Sequence, residues 1–114
     1  MKLPIDHVAV PASDIQKSLD WYKKHFDAEV LYQDDTWAFM RMGPVKLALV
    51  TPGQHPPHVA LRVDKDQLEQ KSQELDQKPD THRDGTAGVY LKDPEGNAVE
   101  LIYYPDSKTA YDEA

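Results

Sequence analysis

The feature that most constrains the fold of this chain is an internal repeat. The letters HVA at residues 7–9 recur at residues 58–60, an offset of 51, and each copy precedes a helical pattern and several strand-like segments. A repeat with a period of 51 residues indicates that one structural unit occurs twice. Each copy reads as strand–helix–strand–strand–strand. We therefore predict an α+β fold made of two pseudo-symmetric βαβββ modules, residues 4–50 and 57–104.

Hydrophobic periodicity and turn residues predict the elements of each module. In the first module we predict strands over 5–10, 28–32, 37–42 and 45–50, and a helix with Ser13 as N-cap and Gln16 in a capping box. In the second module we predict a strand over 59–63, a helix capped by Asp64 with Gln67, a polar connection over 78–88 with room for a short strand, and a closing hairpin of 89–91 and 98–104. Residues 105–114 are predicted to be a loose tail.

Side chains alternate between the two faces of a strand, and this alternation predicts how the modules combine. One helix cannot cover both faces of a small sheet, so we predict that the two sheets join into one larger curved sheet with the helices on its outer face and a concave groove inside. The apolar positions predicted to face the helices are Val8, Val10, Leu47, Leu49, Val59, Leu61, Val63, Val99 and Leu101. The positions predicted to face the groove are His7, Ala48, His58 and Glu100.

Composition excludes several classes of function. The 114 residues suit a single domain, 1–114, and the net charge of −7 argues against a nucleic-acid or membrane partner. The chain has no cysteine, so it has no disulfide, no thiolate metal site and no thiol nucleophile. Its start does not resemble a signal peptide, and no apolar run approaches the ~20 residues of a membrane helix. We expect a cytoplasmic protein.

Glu100 is unusual because it is a carboxylate within an apolar strand, where burial is costly unless the charge is compensated. His7 and His58 are predicted to face the same groove, and two histidines with one carboxylate can bind a divalent metal ion and leave coordination positions open. We therefore predict one divalent ion, Fe²⁺, Mn²⁺, Zn²⁺, Ni²⁺ or Co²⁺, at these three residues. The alternative is a buried hydrogen-bonded cluster without metal. The remaining histidines are expected to have no role in the site: His25, His55 and His82.

Four segments carry a resemblance to a known family: IDHVAV at 5–10, SDIQKSLDWYKKHF at 13–26, PHVALRV at 57–63 and DPEGNAVELIYY at 93–104. They resemble the vicinal oxygen chelate superfamily, which includes glyoxalase I, extradiol dioxygenases, and fosfomycin- and bleomycin-resistance proteins. The resemblance covers nearly all of 4–104 and implies paired βαβββ modules that form a U-shaped sheet with the helices on its outer face.

The metal-ligand places of this family correspond to His7, Ala48, His58 and Glu100. Ala48 offers no ligand, so the chain is more similar to the three-ligand extradiol dioxygenases and fosfomycin-modifying enzymes than to the four-ligand glyoxalase I and methylmalonyl-CoA epimerases.

The resemblance implies a metal-dependent enzyme acting on a small molecule with vicinal oxygens, as a lyase, isomerase or ring-cleaving dioxygenase. The catalytic acid or base is not identified, and Glu100 and Tyr104 are candidates. Lys46, Arg62, Tyr90 and Tyr104 are candidates for binding substrate. One alternative is a metal-free, non-catalytic protein that binds a small molecule or drug, of the bleomycin-resistance type. Another is an accessory domain with a decayed site. A homodimer is expected from the chain's size and from the family.

Overall fold

The computed structural model describes residues 3–54, 56–81 and 85–105. The elements in this part of the chain are β1 (Ile5–Pro11), α1 (Ile15–Phe26), β2 (Glu29–Gln33), β3 (Trp37–Met42), β4 (Val45–Val50), β5 (His58–Arg62), α2 (Lys65–Leu75), β6 (Asp80–Thr81), β7 (Ala87–Lys92) and β8 (Ala98–Tyr103). This is strand–helix–strand–strand–strand twice, so the predicted α+β class and the repeated βαβββ module are confirmed. His55, His82 and most of the predicted tail lie outside the described residues.

The described strands form one mixed sheet in the order β2-β3-β4-β1-β5-β8-β7-β6. The chain divides into two compact units: the first unit is His7–Val59, and the second unit is Met1–Asp6 with Ala60–Ala114. The two boundaries between them fall inside β1 and inside β5. The extent of the domain and the limits of the repeats stay predictions.

In the first unit, α1 packs against the sheet through Ile15 and Leu19, which are both buried. The prediction that Ser13 caps this helix is wrong. Asp14 is the N-cap, and its side chain accepts a hydrogen bond of 3.1 Å from the amide of Lys17. Asp and Ser are both favoured N-caps, so the sequence offered two adjacent choices. Since the helix begins one residue later than predicted, Gln16 is not at N3.

In the second unit, α2 begins at the predicted capping box. Asp64 accepts a hydrogen bond of 2.7 Å from the Gln67 amide, and the Gln67 side chain accepts one of 2.9 Å from the Asp64 amide. The helix packs on β7 and β8 through a core cluster of Val63, Leu68, Val89 and Leu101. At 12 and 11 residues, α1 and α2 are both too short to cross a membrane, and the described residues contain no longer helix.

The hairpin that closes the second unit turns at Asp93, as its Pro-x-Gly sequence predicts. The Asp93 carboxylate accepts hydrogen bonds of 2.9 Å from the Glu95 amide and 2.8 Å from the Asn97 amide. Gly96 has φ +87, a backbone conformation that L side chains rarely adopt. The side-chain amide of Asn97 donates to the same carboxylate and is the main cause that lowers the pKa of Asp93. This turn determines the register of β7 against β8 and thus the position of Glu100.

Candidate functional site

Two histidine side chains meet in the first unit. His7 lies near the start of β1, His58 is the first residue of β5, and both are buried. Their Nε2 atoms lie 3.2 Å apart. Two nitrogen ligands held ~2.0–2.1 Å from one ion, at an angle of roughly 90–110°, are roughly 2.9–3.4 Å apart. The pair therefore fits two neighbouring ligands of one metal ion, and it equally fits a single N–H···N hydrogen bond.

The tautomer of His58 is determined by the backbone two residues before it. Its Nδ1 atom lies 2.8 Å from the carbonyl oxygen of Pro56, and a carbonyl oxygen can only accept a hydrogen bond. In the neutral imidazole Nδ1 therefore carries the proton, and Nε2, which faces His7, keeps its lone pair. Metal-ligating histidines usually make a second hydrogen bond of this kind. The Pro56 carbonyl thus orients one candidate ligand.

Glu100 lies in the second unit, in the middle of β8, with only 3% of its surface exposed. Its carboxylate lies close to Gly88 of β7, where an added Cβ atom would be 3.1 Å from Oε2 and 2.9 Å from the carbonyl oxygen of Leu101. Only glycine leaves this space free, so β7 is built to accept the Glu100 side chain. A buried carboxylate requires donors or a cation to compensate its charge.

Tyr90 stands opposite Glu100 in the pairing of β7 with β8. Burial, followed by the negative charges of Glu100 and Asp80, raises the pKa of the Tyr90 phenol above its ordinary value of 10.0. The phenol is therefore protonated at neutral pH, and it can donate a hydrogen bond but not act as a general base.

Two further predicted residues, Arg62 and Tyr104, contact each other in the second unit around Asp6. The Tyr104 hydroxyl donates a hydrogen bond of 2.7 Å to Asp6, and the Arg62 guanidinium lies 3.8 Å from the other oxygen of that carboxylate. The Arg62 Cζ atom is 4.1 Å from the centre of the Tyr104 ring. Sequence reasoning missed Asp6, although an acidic residue inside a buried strand was the available signal.

Lys46 lies in the first unit beside the histidine pair. It is His7's partner in the parallel register of β1 with β4, and it is only 6% exposed. Its ammonium group is 5.3 Å from the centre of the Phe39 ring, which in turn makes an edge contact with the His7 ring at 5.2 Å between centroids. Lys46 is therefore a cation within contact range of the rings that surround His7. Ala48, at the fourth ligand place, is buried and pairs in register with Phe39.

Sequence reasoning also missed a run of aromatic rings on β2 and β3. Tyr32 stacks on Trp37 at 4.7 Å, and Trp37 contacts Phe39 at 5.5 Å. Asp34 contacts both residues at the start of this run. It accepts hydrogen bonds of 2.6 Å from the Tyr32 hydroxyl and 3.0 Å from the Trp37 amide. The Tyr32 hydroxyl is also the main cause that lowers the pKa of Asp34 from 3.8 to about 2. The alternation Trp37-x-Phe39 in a predicted strand was the signal in the sequence.

Residues 4–101 match the family model described as Glyoxalase/Bleomycin resistance protein/Dioxygenase superfamily. A curated relative, the metallothiol transferase FosB of Staphylococcus saprophyticus subsp. saprophyticus, is 28% identical over 112 residues, covering 85% of this chain and 74% of that protein.

Solved structures resemble the chain at lower sequence identity. Hypothetical protein BH1468 from Bacillus halodurans C-125 is 18% identical with a TM-score of 0.73, covering 91% of this chain and 96% of that one. The Mn(II)-bound glyoxalase from Novosphingobium aromaticivorans is 18% identical with a TM-score of 0.70, covering 87% of this chain and 37% of that one. At such identities these likenesses establish a shared fold.

Proposed function

Because the chain belongs to the Glyoxalase/Bleomycin resistance protein/Dioxygenase superfamily, as its sequence segments predicted, we propose that it is a divalent-metal-dependent enzyme. Its substrate is a small molecule with two vicinal oxygens, and the reaction is that of a lyase, an isomerase or a ring-cleaving dioxygenase. The curated relative is named a metallothiol transferase, and one protein of the same fold is described as Mn(II)-bound. Both names support the proposal that this enzyme depends on a metal ion.

The observation that carries the proposal is the buried histidine pair. The Nε2 atoms of His7 and His58 are 3.2 Å apart, and the Pro56 carbonyl oxygen holds the proton of neutral His58 on Nδ1, so Nε2 is its metal-binding nitrogen. Burial removes both imidazoles from water, so a ligand that both share replaces lost hydration.

Glu100 is proposed as the third ligand. The family resemblance places Glu100 in β8 and Ala48 in β4 at corresponding ligand positions, and the buried charge of Glu100 is suited to a cation. Because Ala48 has no donor atom, the proposed set has three protein ligands and leaves open positions for substrate oxygens. The ion is Fe²⁺, Mn²⁺, Zn²⁺ or Ni²⁺, and these metals all accept imidazole and carboxylate ligands.

When bound, the ion would supply a Lewis acid that stabilises negative charge on the substrate's oxygens. The chain's own residues have separate roles. Lys46 and Arg62 bind anionic substrate oxygens, and Tyr90 donates a hydrogen bond because its raised pKa keeps the phenol protonated. Tyr104 donates to Asp6, so we propose that it positions Arg62 rather than transferring a proton. Glu100 remains the candidate for a catalytic carboxylate.

The proposal is tested by the metal content of the purified protein. Wild type expressed in medium supplemented with iron, manganese, zinc or nickel is expected to carry about one ion per chain, measured by elemental analysis. His7→Ala, His58→Ala and Glu100→Ala are each expected to lose the ion, since each removes one ligand. His25→Ala is the matched control, because His25 is exposed on α1.

The outcomes separate the enzyme from its alternative. Folded wild type without metal would contradict the metalloenzyme and favour a metal-free protein that binds a small molecule, with His7 and His58 joined by an N–H···N hydrogen bond. Metal retained in His58→Ala would contradict the proposed ligand set. Iron or manganese would direct the search to catechol-type and epoxide-type substrates. Zinc or nickel would direct it to lyase and isomerase substrates.

We also propose that the protein is a cytoplasmic homodimer.

A further inference from the structure

The first unit contains a continuous run of ring contacts that ends at the histidine pair. From Tyr32 the contacts pass to Trp37, Phe39, His7 and His58, with ring centroids 4.7, 5.5, 5.2 and 5.3 Å apart in that order. Tyr32 and Trp37 are only half-buried, whereas Phe39 and both histidines are buried. The run therefore leads from partly exposed rings to the proposed ligands, and a planar molecule that stacks on it is directed toward His7.

A β-bulge places Tyr32 in this run. In the pairing of β2 with β3, Val30 stands opposite Met40 and Tyr32 opposite Phe39, so Leu31 is an extra residue. Without the bulge, regular alternation would put Leu31 opposite Phe39. Bulges often re-aim a side chain next to a functional site.

Asp34 then holds the Tyr32 hydroxyl and the backbone amide of Trp37. The local backbone is thus arranged to bring the two rings together, and the 28° angle between their planes is that of a stack.

The same face carries a buried cation. Lys46 of β4 pairs in register with His7 of the neighbouring strand β1 and with Arg41 of the other neighbour, β3. Its ammonium group faces the Phe39 ring. A lysine is rarely this buried unless an anion or an aromatic face compensates its charge. A ligand with a negative group beside a planar ring would meet the rings and the ammonium group together.

We propose that the first unit binds the planar aromatic part of an anionic substrate, such as an aromatic carboxylate or phenolate. The half-buried rings of Tyr32 and Trp37 stack with the ring of the ligand, and Lys46 contacts its negative group next to His7. This inference rests on the proposed function, because it names the substrate class of the same site. It extends that function from vicinal oxygens in general to an aromatic anion.

The test uses metal-free wild type, prepared with a chelator, and 2-naphthoate as the probe, with binding measured by calorimetry. The neutral analogue 2-naphthylmethanol lacks the charge, and cyclohexanecarboxylate lacks the planar ring. Both are expected to bind about tenfold more weakly than 2-naphthoate, since each loses one of the two contacts. Equal affinity for the three compounds would overturn the inference.

Variants of the protein test which residue contacts the charge of 2-naphthoate and which contacts its ring. Lys46→Met keeps most of the side-chain volume and is expected to weaken 2-naphthoate about tenfold while leaving 2-naphthylmethanol unchanged. Trp37→Leu is expected to weaken both compounds, and Trp21→Leu, the matched control at an exposed tryptophan of α1, neither. If Trp37→Leu does not fold by circular dichroism, the Lys46→Met comparison decides alone. Unchanged 2-naphthoate affinity in Lys46→Met would overturn the inference.

The experiments distinguish failure of the aromatic-anion site from failure of the proposed metalloenzyme. His58→Ala removes a proposed metal ligand and leaves Tyr32, Trp37 and Lys46 in place. The variant is therefore expected to retain 2-naphthoate binding. Metal binding without selective 2-naphthoate binding would refute only the aromatic-anion site. Selective 2-naphthoate binding in a protein that takes up no metal would refute only the metalloenzyme.

Discussion

Asp34 shows, at the scale of a residue, how one partly buried carboxylate organises a run of aromatic rings. It accepts hydrogen bonds from the Tyr32 hydroxyl, from the backbone amides of Thr36 and Trp37, and from the Thr36 hydroxyl. These donors stabilise the ionised form, which is why the pKa of Asp34 falls from 3.8 to about 2. The charge of Asp34 therefore contributes to the order of the aromatic run and to folding.

This linkage predicts a pH dependence for Asp34→Asn. Because the pKa of Asp34 is lower in the folded state, its stabilisation is present above about pH 4 and is lost as the pH falls toward 2. After allowance for solvent screening, we expect the variant to be less stable by about 1 kcal/mol or less at pH 7. Urea unfolding at pH 7 and near pH 2 measures this, with Asp35→Asn as the exposed control. A difference that grows toward low pH would contradict the prediction.

Gly88 carries a second prediction at this scale. In Gly88→Ala the new Cβ atom would lie 2.9 Å from the Leu101 carbonyl oxygen and 3.1 Å from Glu100 Oε2, both too close. We expect a loss of stability of about 1–3 kcal/mol, as for other overpacked sites, together with weaker metal binding because Glu100 must move. Urea unfolding and elemental analysis measure the two effects. Lys92→Ala, an exposed position on the same strand, is expected to change neither.

The start of α1 allows a prediction at the scale of an element. Asp14, not Ser13, accepts the hydrogen bond from the Lys17 amide. We therefore expect Asp14→Ala to lower the free energy of unfolding by about 1 kcal/mol, because an amide at the helix start loses its acceptor. Ser13→Ala, its neighbour, is expected to have a much smaller effect. If the two variants exchanged these effects in urea unfolding, Ser13 would be the functional cap in solution.

The two helices differ in how well their sequences determine their starts. At α2 the capping box is satisfied in both directions by Asp64 and Gln67, and the prediction is correct. At α1 two good capping residues stand side by side, so the local sequence does not choose between them, and the structure uses Asp14. Ile15 and Leu19 of this helix both lie in the core cluster of the first unit.

For the whole molecule we predict a homodimer. The chain has only 114 residues, and small domains gain by burying further surface in an interface. Several large apolar side chains are exposed, including Trp21 at 50% and Phe26 at 56%. Sedimentation equilibrium at micromolar concentration is expected to give twice the chain mass of 13.0 kDa. A mass of 13.0 kDa across the whole concentration range would contradict the prediction.

The sequence by itself determined the order of elements, since periodicity and turn residues are local properties of the chain. The repeat predicted two βαβββ modules, and the bounds of β3 and β4 agree with the prediction residue for residue. His7, His58 and Glu100 were predicted as metal ligands because the repeat relates the two histidines and because a carboxylate within an apolar strand is conspicuous. These signals depend on spacing and polarity alone, so no coordinates were needed.

Only the tertiary structure decided which distant side chains touch. The bulge at Leu31 reverses the alternation in β2, so a strand pattern alone would have assigned Tyr32 to the wrong face. The Tyr104–Asp6 hydrogen bond joins residues 98 positions apart, and the Pro56 carbonyl selects the His58 tautomer through backbone geometry. Such contacts depend on how separate strands pair and on how loops approach them, and a one-dimensional pattern does not record either.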